Sequence, residues 1–320
     1  MKKQQGKSVW VTGGAGFLGP HLVARLLKEQ WQVTAIDNFF NGRPEHIRPF
    51  QSNTNFTFLK GDITDSMFLE KAFEAHTPDV IYHLAALHFI PYCIANPAET
   101  LHVNVLGTQL LLDLLERSSV SHFVFASTAD VYSVSDSTHS EADSLGSSNV
   151  YGMSKLFCED LLSLCQHRCP HVNFFSIRFF NIFGPGETNP HVLPDILTGL
   201  KKEYVLRLGN LTPRRDYIHV NDVANALHKL LSYEGDQRVF NLGTGIGTSV
   251  SDLVRTLERI LGSAIPVEVD PDKVRPVERE SLVADISRIR QELGWAPSVS
   301  VEEGLQDLVT KELSGVIARK

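Results

Sequence analysis

Cysteine is scarce in this chain, four in 320 residues, and none shows the paired spacing of a secreted disulfide framework. Such usage fits a reducing compartment. Lysine and arginine form no block, and the formal charge is -7 from 30 basic and 37 acidic residues. A nucleic-acid surface, which must meet phosphates, is therefore not expected. Long apolar runs are missing as well. The longest, VIYHLAALHFI from Val80, is too short to span a membrane and carries two histidines. The opening MKKQQGKSVWVTGG has no extended apolar segment before its glycines and does not read as a signal peptide. No membrane partner and a cytoplasmic location are the expectations. Metal ligands crowd at CQHRCPH, where Cys165 and Cys169 lie four apart at a helix end and His167 faces elsewhere, so no metal is expected.

What is present is an ordinary globular composition, 42% hydrophobic and 21% charged. Short β-rich runs stand at 8–12, 32–37, 56–60, 80–84, 123–128 and 173–179, with helical stretches at 21–29, 66–75, 97–117 and 151–168. Alternation of this kind predicts an α/β protein, a Rossmann-type doubly wound parallel sheet with a smaller C-terminal α/β substrate-binding domain. The expected division is a cofactor domain over 1–180, with a return near 218–245, and a mainly substrate-binding domain over 181–320. The stretches 97–117 and 151–168 are apolar on more than one face, Leu101, Val105 and the leucines from Leu110 to Leu115 included, so they need a second partner. A homodimer through these helices is the expectation, with burial under another part of the chain as its alternative.

VTGGAGFLG sets Gly13, Gly16 and Gly19 between the first strand and the first helix. Glycine there permits a tight turn and close approach of backbone to a diphosphate at the helix N-terminus. Asp37 ends the second strand, where a carboxylate accepts ribose hydroxyls and repels a 2′-phosphate, so NAD is expected over NADP. Arg43 nearby works in the opposite sense. Further along, Tyr151 and Lys155 lie four apart on one helical face. A phenol of ordinary pKa about 10 is a poor base, but a neighbouring cation and an oxidised nicotinamide both favour its phenolate.

The segments TGGAGFLG, DNFFNG, GDITD, HLAA, NVLGT, STADVY, YGMSK, RFFNIFGPG, RRDYIHVNDVA, FNLGTG and ADISRIRQELGW together resemble the extended short-chain dehydrogenase/reductase family, specifically its nucleotide-sugar epimerases and dehydratases. The resemblance spans nearly the whole chain. It implies that Phe17 and Leu18 of the glycine loop, Asn38, Asp62, Ile63, Leu84, Ala85, Ala86 and His88 line the cofactor. It implies further that Thr128 hydrogen-bonds the sugar hydroxyl being oxidised, Tyr151 is the base, and Lys155 binds the nicotinamide ribose and tunes Tyr151. Asn181, Arg215 and Arg275 would hold the diphosphate of a nucleotide-diphosphate sugar. His83 reads as a packed strand-end residue, and burial is expected for Tyr92 and Cys93.

Family members oxidise C4 of the sugar first and differ in the fate of the 4-keto intermediate. Many 4,6-dehydratases carry Thr-Asp-Glu where this chain has Thr128-Ala129-Asp130, and some 4-epimerases carry Ser-Ala-Thr. Ala129 cannot protonate a leaving hydroxyl. Asp130, one methylene short of Glu, matches the position of a C5 base and would share a face with Thr128 in an extended segment. The first expectation is a C4 epimerase, and the second a nucleotide-sugar dehydratase or UDP-glucuronate decarboxylase using Asp130. A 4-keto reductase would consume NADPH, which Asp37 disfavours. A non-catalytic dinucleotide sensor would have little use for both Tyr151 and Lys155.

Overall fold

The computed structural model describes residues 7–187, 189–203, 205–274 and 279–313. The chain divides into two compact units, the first comprising residues 1–133, 142–179 and 224–240, the second residues 134–141, 180–223 and 241–320.

The first unit is built on strands β1 (Ser8–Thr12), β2 (Gln32–Asp37), β3 (Phe56–Lys60), β4 (Val80–His83), β5 (His122–Thr128) and β6 (Asn173–Phe179). With β10 (Val239–Leu242) they form a seven-stranded sheet in the order β3-β2-β1-β4-β5-β6-β10. The pairs from β3 to β6 are parallel. Strand order reverses beside β1, and doubly wound sheets bind ligands at such a point, outside the carboxyl ends of the strands. β4 and β5 are buried almost throughout, as strands covered on both faces must be.

The helices of this unit are α1 (Leu18–Lys28), α2 (Pro44–Ile47), α3 (Ser66–Ala75), α4 (Ile90–Ala95), α5 (Pro97–Leu101), α6 (Gly107–Asp113) and α7 (Val150–Arg168). A core of Trp10, Ile36, Ile81, Leu111, Phe123 and Leu162 packs between helices and sheet. The single helix expected over 97–117 is instead α5 and α6 joined by a π-helical turn, His102–Leu106. The turn presents Asn104 inward, where its amide accepts from the Leu87 N–H and donates to the Leu87 carbonyl and Ser154 Oγ. π-bulges of this kind recur at functional sites. Not all the apolar residues of these helices are covered: Leu101, Leu106, Met153, Phe157 and Leu164 are exposed.

In the second unit, β9 (Arg214–His219) is flanked by β11 (Gly247–Ser249) and β13 (Ser281–Leu282), and β7 (Asn181–Phe183) also pairs with it. A separate ribbon joins β8 (Leu206–Leu208) and β12 (Val267–Val269). Helix α9 (Val220–Leu230) begins in the second unit and ends in the first. Helices α8 (Val192–Lys202), α10 (Val250–Leu261), α11 (Ser287–Leu293) and α12 (Val301–Glu312) complete the second. Its core is aliphatic, with Leu193, Ile196, Leu253, Leu257, Leu305 and Leu308 at its centre. No helix among the described residues is long and apolar enough to cross a membrane.

Candidate active site

The glycine loop starts at the end of β1. Gly13 has φ 70°, and a Cβ there would lie 2.8 Å from the Ala85 nitrogen at the end of β4, so only glycine fits. A Cβ on Gly19 would meet the Gly13 carbonyl at 2.6 Å. Helix α1 begins at Leu18, three residues before the expected start, and its first turn has no acidic residue and no side-chain cap. Its N-terminal N–H groups thus keep the capacity to bind an anion, and a dinucleotide diphosphate fits this cradle.

Asp37 secures the loop. Its Oδ2 accepts from the Ala15 N–H at 3.0 Å and its Oδ1 from the Phe39 N–H at 2.7 Å, while burial raises its pKa. Both oxygens retain lone pairs for a ribose hydroxyl. His46 Nδ1 lies 3.0 Å from each of the Ala15 and Gly16 carbonyls, and the Arg43 N–H donates to the Ala15 carbonyl. Asn38 donates to Asp62, whose other oxygen accepts from Thr64, and these hydrogen bonds hold the Asp62 pKa down. Ile63 is buried, whereas Leu84, Ala85, Ala86 and His88 stay partly exposed along the segment after β4.

β5 ends at Thr128. The next residues form a 3-10 turn, Ala129–Val131, rather than the extended segment expected. Thr128 Oγ1 causes this, because it accepts the Asp130 N–H at 3.2 Å and caps the turn. Thr128 and Asp130 still meet, with Oγ1 3.5 Å from the Asp130 carboxylate. Asn149 caps α7 through the Gly152 N–H, and its amide nitrogen lies 3.4 Å from Asp130 Oδ1. Ala129 is buried and apolar.

Tyr151 stands in the first turn of α7. Burial and then the charge of Asp130 raise its pKa, and the hydrogen bond from the Thr128 hydroxyl works against them. Lys155 lies one turn further along the same helix. Lys155 is buried, its Nζ 4.6 Å from the centre of the Phe125 ring, and burial lowers its pKa to about 8. Burial thus pushes both the Lys155 ammonium and the Tyr151 phenol toward their neutral forms.

His83 is fully buried, with Nδ1 2.8 Å from Thr12 Oγ1 and Nε2 3.0 Å from Thr108 Oγ1. Burial lowers its pKa to about 3, so it is neutral. Cys93 is buried too, but Tyr92 is only half-buried, because its hydroxyl reaches out 2.7 Å to Glu99. Cys165 and Cys169 face the core with their sulfurs 3.7 Å apart, His167 is exposed, and no group of His, Cys, Asp and Glu among the described residues is placed to hold a metal.

Within the second unit, Asn181 is exposed at the start of β7. Arg215, on β9, donates at 3.0 Å to the Arg214 and Arg279 carbonyls. Arg275 lies outside the described residues.

A family model described as GDP-mannose 4,6 dehydratase matches residues 10–308. The chain belongs to the nucleotide-sugar epimerase/dehydratase family of extended short-chain dehydrogenases/reductases. UDP-glucose 4-epimerase 3 of Oryza sativa subsp. japonica is 32% identical to this family member over 338 residues, covering 96% of this chain and 90% of that protein. The crystal structure of UDP-glucose 4-epimerase from Thermotoga maritima with UDP-glucose is 30% identical, covers 97% of this chain and 99% of its own, and gives a TM-score of 0.87. That of UDP-glucose 4-epimerase from Bifidobacterium longum with NAD+ and UDP is 28% identical, covers 97% and 100%, and gives 0.86. The residues that sequence reasoning missed in this epimerase/dehydratase site are His46, Asn104, Asn149, Ser154, Glu159 and Arg178. Two had a readable signal: Glu159 falls one turn beyond Lys155, and Arg178 interrupts an apolar strand where only a partnered charge is tolerated.

Proposed function

We propose that this protein is an NAD-dependent nucleotide-sugar 4-epimerase acting on a UDP-hexose. The observation that carries the reading is the placement of Tyr151 and buried Lys155 one turn apart on α7, with Thr128 acting to lower the Tyr151 pKa and apolar Ala129 where a dehydratase needs an acid. The relatives' activity at C4 of UDP-glucose supports it. Gly13, Gly16, Phe17, Leu18, Gly19, Asp37, Asn38, Asp62 and Ile63 hold the dinucleotide, and Leu84, Ala85, Ala86 and His88 continue its bed. NAD supplies, when bound, a hydride acceptor and a positively charged ring. Tyr151 takes the proton of the C4 hydroxyl, Thr128 orients that hydroxyl, and Lys155 binds the ribose and lends the phenolate a cation. The C4 hydride would return to the opposite face of the keto carbon, inverting it, and Tyr151 gives its proton back to O4, which closes the cycle. Asn181, Arg215 and Arg275 bind the diphosphate.

A second reading, chemistry at C5, is favoured by Asp130, whose carboxylate stands within reach of Thr128 and acts electrostatically on Tyr151. The test that separates the two uses UDP-glucose in deuterated water. Epimerisation at C4 leaves C5 without deuterium and survives Asp130→Asn. Deuterium at C5, lost with Asp130→Asn, replaces the reading with the second. Tyr151→Phe is expected to keep NAD and lose turnover by about 10²–10⁴-fold. The exposed Leu101, Leu106, Met153, Phe157 and Leu164 support a homodimer, which sedimentation of the protein and of a Phe157→Glu variant checks.

A further inference from the structure

We propose that the buried Arg178–Glu159 ion pair is a positioning element that fixes Thr128 and Asp130 relative to the helix carrying Tyr151 and Lys155. The inference rests on the proposed roles of Tyr151 as base and Thr128 as its partner. Glu159 lies on α7 one turn after Lys155, and Arg178 lies on β6 directly opposite Ser127 in the β5–β6 register. Their contact is bidentate, Nη2 to Oε2 at 2.6 Å and Nε to Oε1 at 3.0 Å. The two side chains are 4% and 9% exposed.

The pair's further side-chain hydrogen bonds go to one segment. Ser127 Oγ donates to Glu159 Oε1 at 2.5 Å. Arg178 Nη1 donates to the Tyr132 hydroxyl at 3.1 Å, and the guanidinium lies 4.9 Å from the Tyr132 ring centre. Residues 127 and 132 immediately bracket the stretch from Thr128 to Val131. The segment is thus held at both ends by the same two charges, and Glu159 is itself part of the catalytic helix.

Stability does not account for this arrangement. A buried ion pair seldom improves on apolar residues of similar volume, since desolvation offsets its attraction. What it does supply is direction: the planar guanidinium fixes its partners' angles as well as their distances. Reaction geometry is sensitive to such control, because a displacement of about 1 Å in a catalytic group costs on the order of 10²-fold in rate.

The test replaces both charges together, Arg178→Met with Glu159→Leu, since either change alone strands a buried charge. We expect a folded protein with NAD affinity and KM within about three-fold of wild type and kcat lower by about 10²-fold. A second variant, Ser127→Ala with Tyr132→Phe, leaves the pair intact and cuts its ties to the segment; kcat is expected to fall by about ten-fold, again with NAD affinity unchanged. It decides the matter if the first does not fold. Wild-type kcat in a folded form of either variant, or a kcat loss matched by loss of NAD binding, overturns the inference. Tyr151→Phe runs alongside. If it keeps turnover, the reading of the site fails and this inference with it; if it is inactive while the paired variants turn over normally, the inference alone fails.

Discussion

Both units of this protein bury charge, and they satisfy it differently. In the second unit, Asp216 accepts four donors, the Thr244 N–H and hydroxyl and the Gly245 and Ala284 N–H groups. Asp222 similarly takes the Ser298 N–H and hydroxyl and the Val299 N–H. Most of those donors are backbone, so each carboxylate is spent on fixing loops. In the first unit Asp37 is likewise held by backbone N–H groups, but the buried groups around the ends of β4 and β5 answer to other side chains: Glu159 to Arg178 and Ser127, His83 to Thr12 and Thr108. Lys155 answers to no carboxylate within ion-pair distance among the described residues. A charge tied to backbone is structural cement, whereas one left against an aromatic ring is stored capacity for a ligand.

The contrast breaks most visibly at Lys155. Its folded pKa of about 8 lies below the ordinary 10.5, so between those values the unfolded chain binds the extra proton and stability rises with pH. Below about pH 8 the penalty is fully present, on the order of 3 kcal/mol. Lys155→Met is therefore expected to lower kcat by at least about 10²-fold while stabilising the cofactor-free protein at pH 7 by a similar energy. Rate assays and urea midpoints test the two halves of that statement. An active or a destabilised Lys155→Met would erase the distinction between stored capacity and cement.

Asp222→Ala is the converse change. Three donors lose a buried charged acceptor, and a loss on the order of 3 kcal/mol is expected, with kcat per folded molecule unchanged. Denaturant unfolding beside activity corrected for folded fraction checks it. Smaller again is the acid response of His83. Its folded pKa of about 3 lies below the ordinary 6.5, so as pH falls below 6.5 the unfolded chain takes up a proton that the folded chain refuses. Stability should drop by on the order of 2 kcal/mol by pH 5, and His83→Gln, less stable at neutral pH, should show a shallower slope.

Much of the first unit was legible because parallel strands and glycine turns write themselves locally. β1, β2, β3, β6 and α3 fall where the sequence pattern sets them. The π-turn at His102–Leu106 was not legible, since no proline or glycine interrupts the helix before Gly107; Asn104 creates it through contacts with Leu87 and Ser154, remote in sequence. Asp130 was readable as a residue of interest but not in its conformation, because propensity says little about a hydroxyl capping the turn just after it. Lys155 was recognised, yet its burial against Phe125, which lowers its own pKa, is not encoded in its spacing from Tyr151. The diphosphate role proposed for Asn181 and Arg215 rests on resemblance alone, as no periodicity marks either residue.

The path of the chain carries one more consequence. The first unit is left after Phe179 and rejoined at Ala224, and β10, the neighbour of β6 in the sheet, ends only at Leu242. During synthesis β6 must therefore emerge with an unpaired edge and wait while the intervening residues are made. Open edges of this kind template association with other chains. Ribosomes that stall between residues 180 and 238 should accordingly yield nascent chains that depend on a chaperone, and the same chains should become self-sufficient once Leu242 has cleared the exit tunnel.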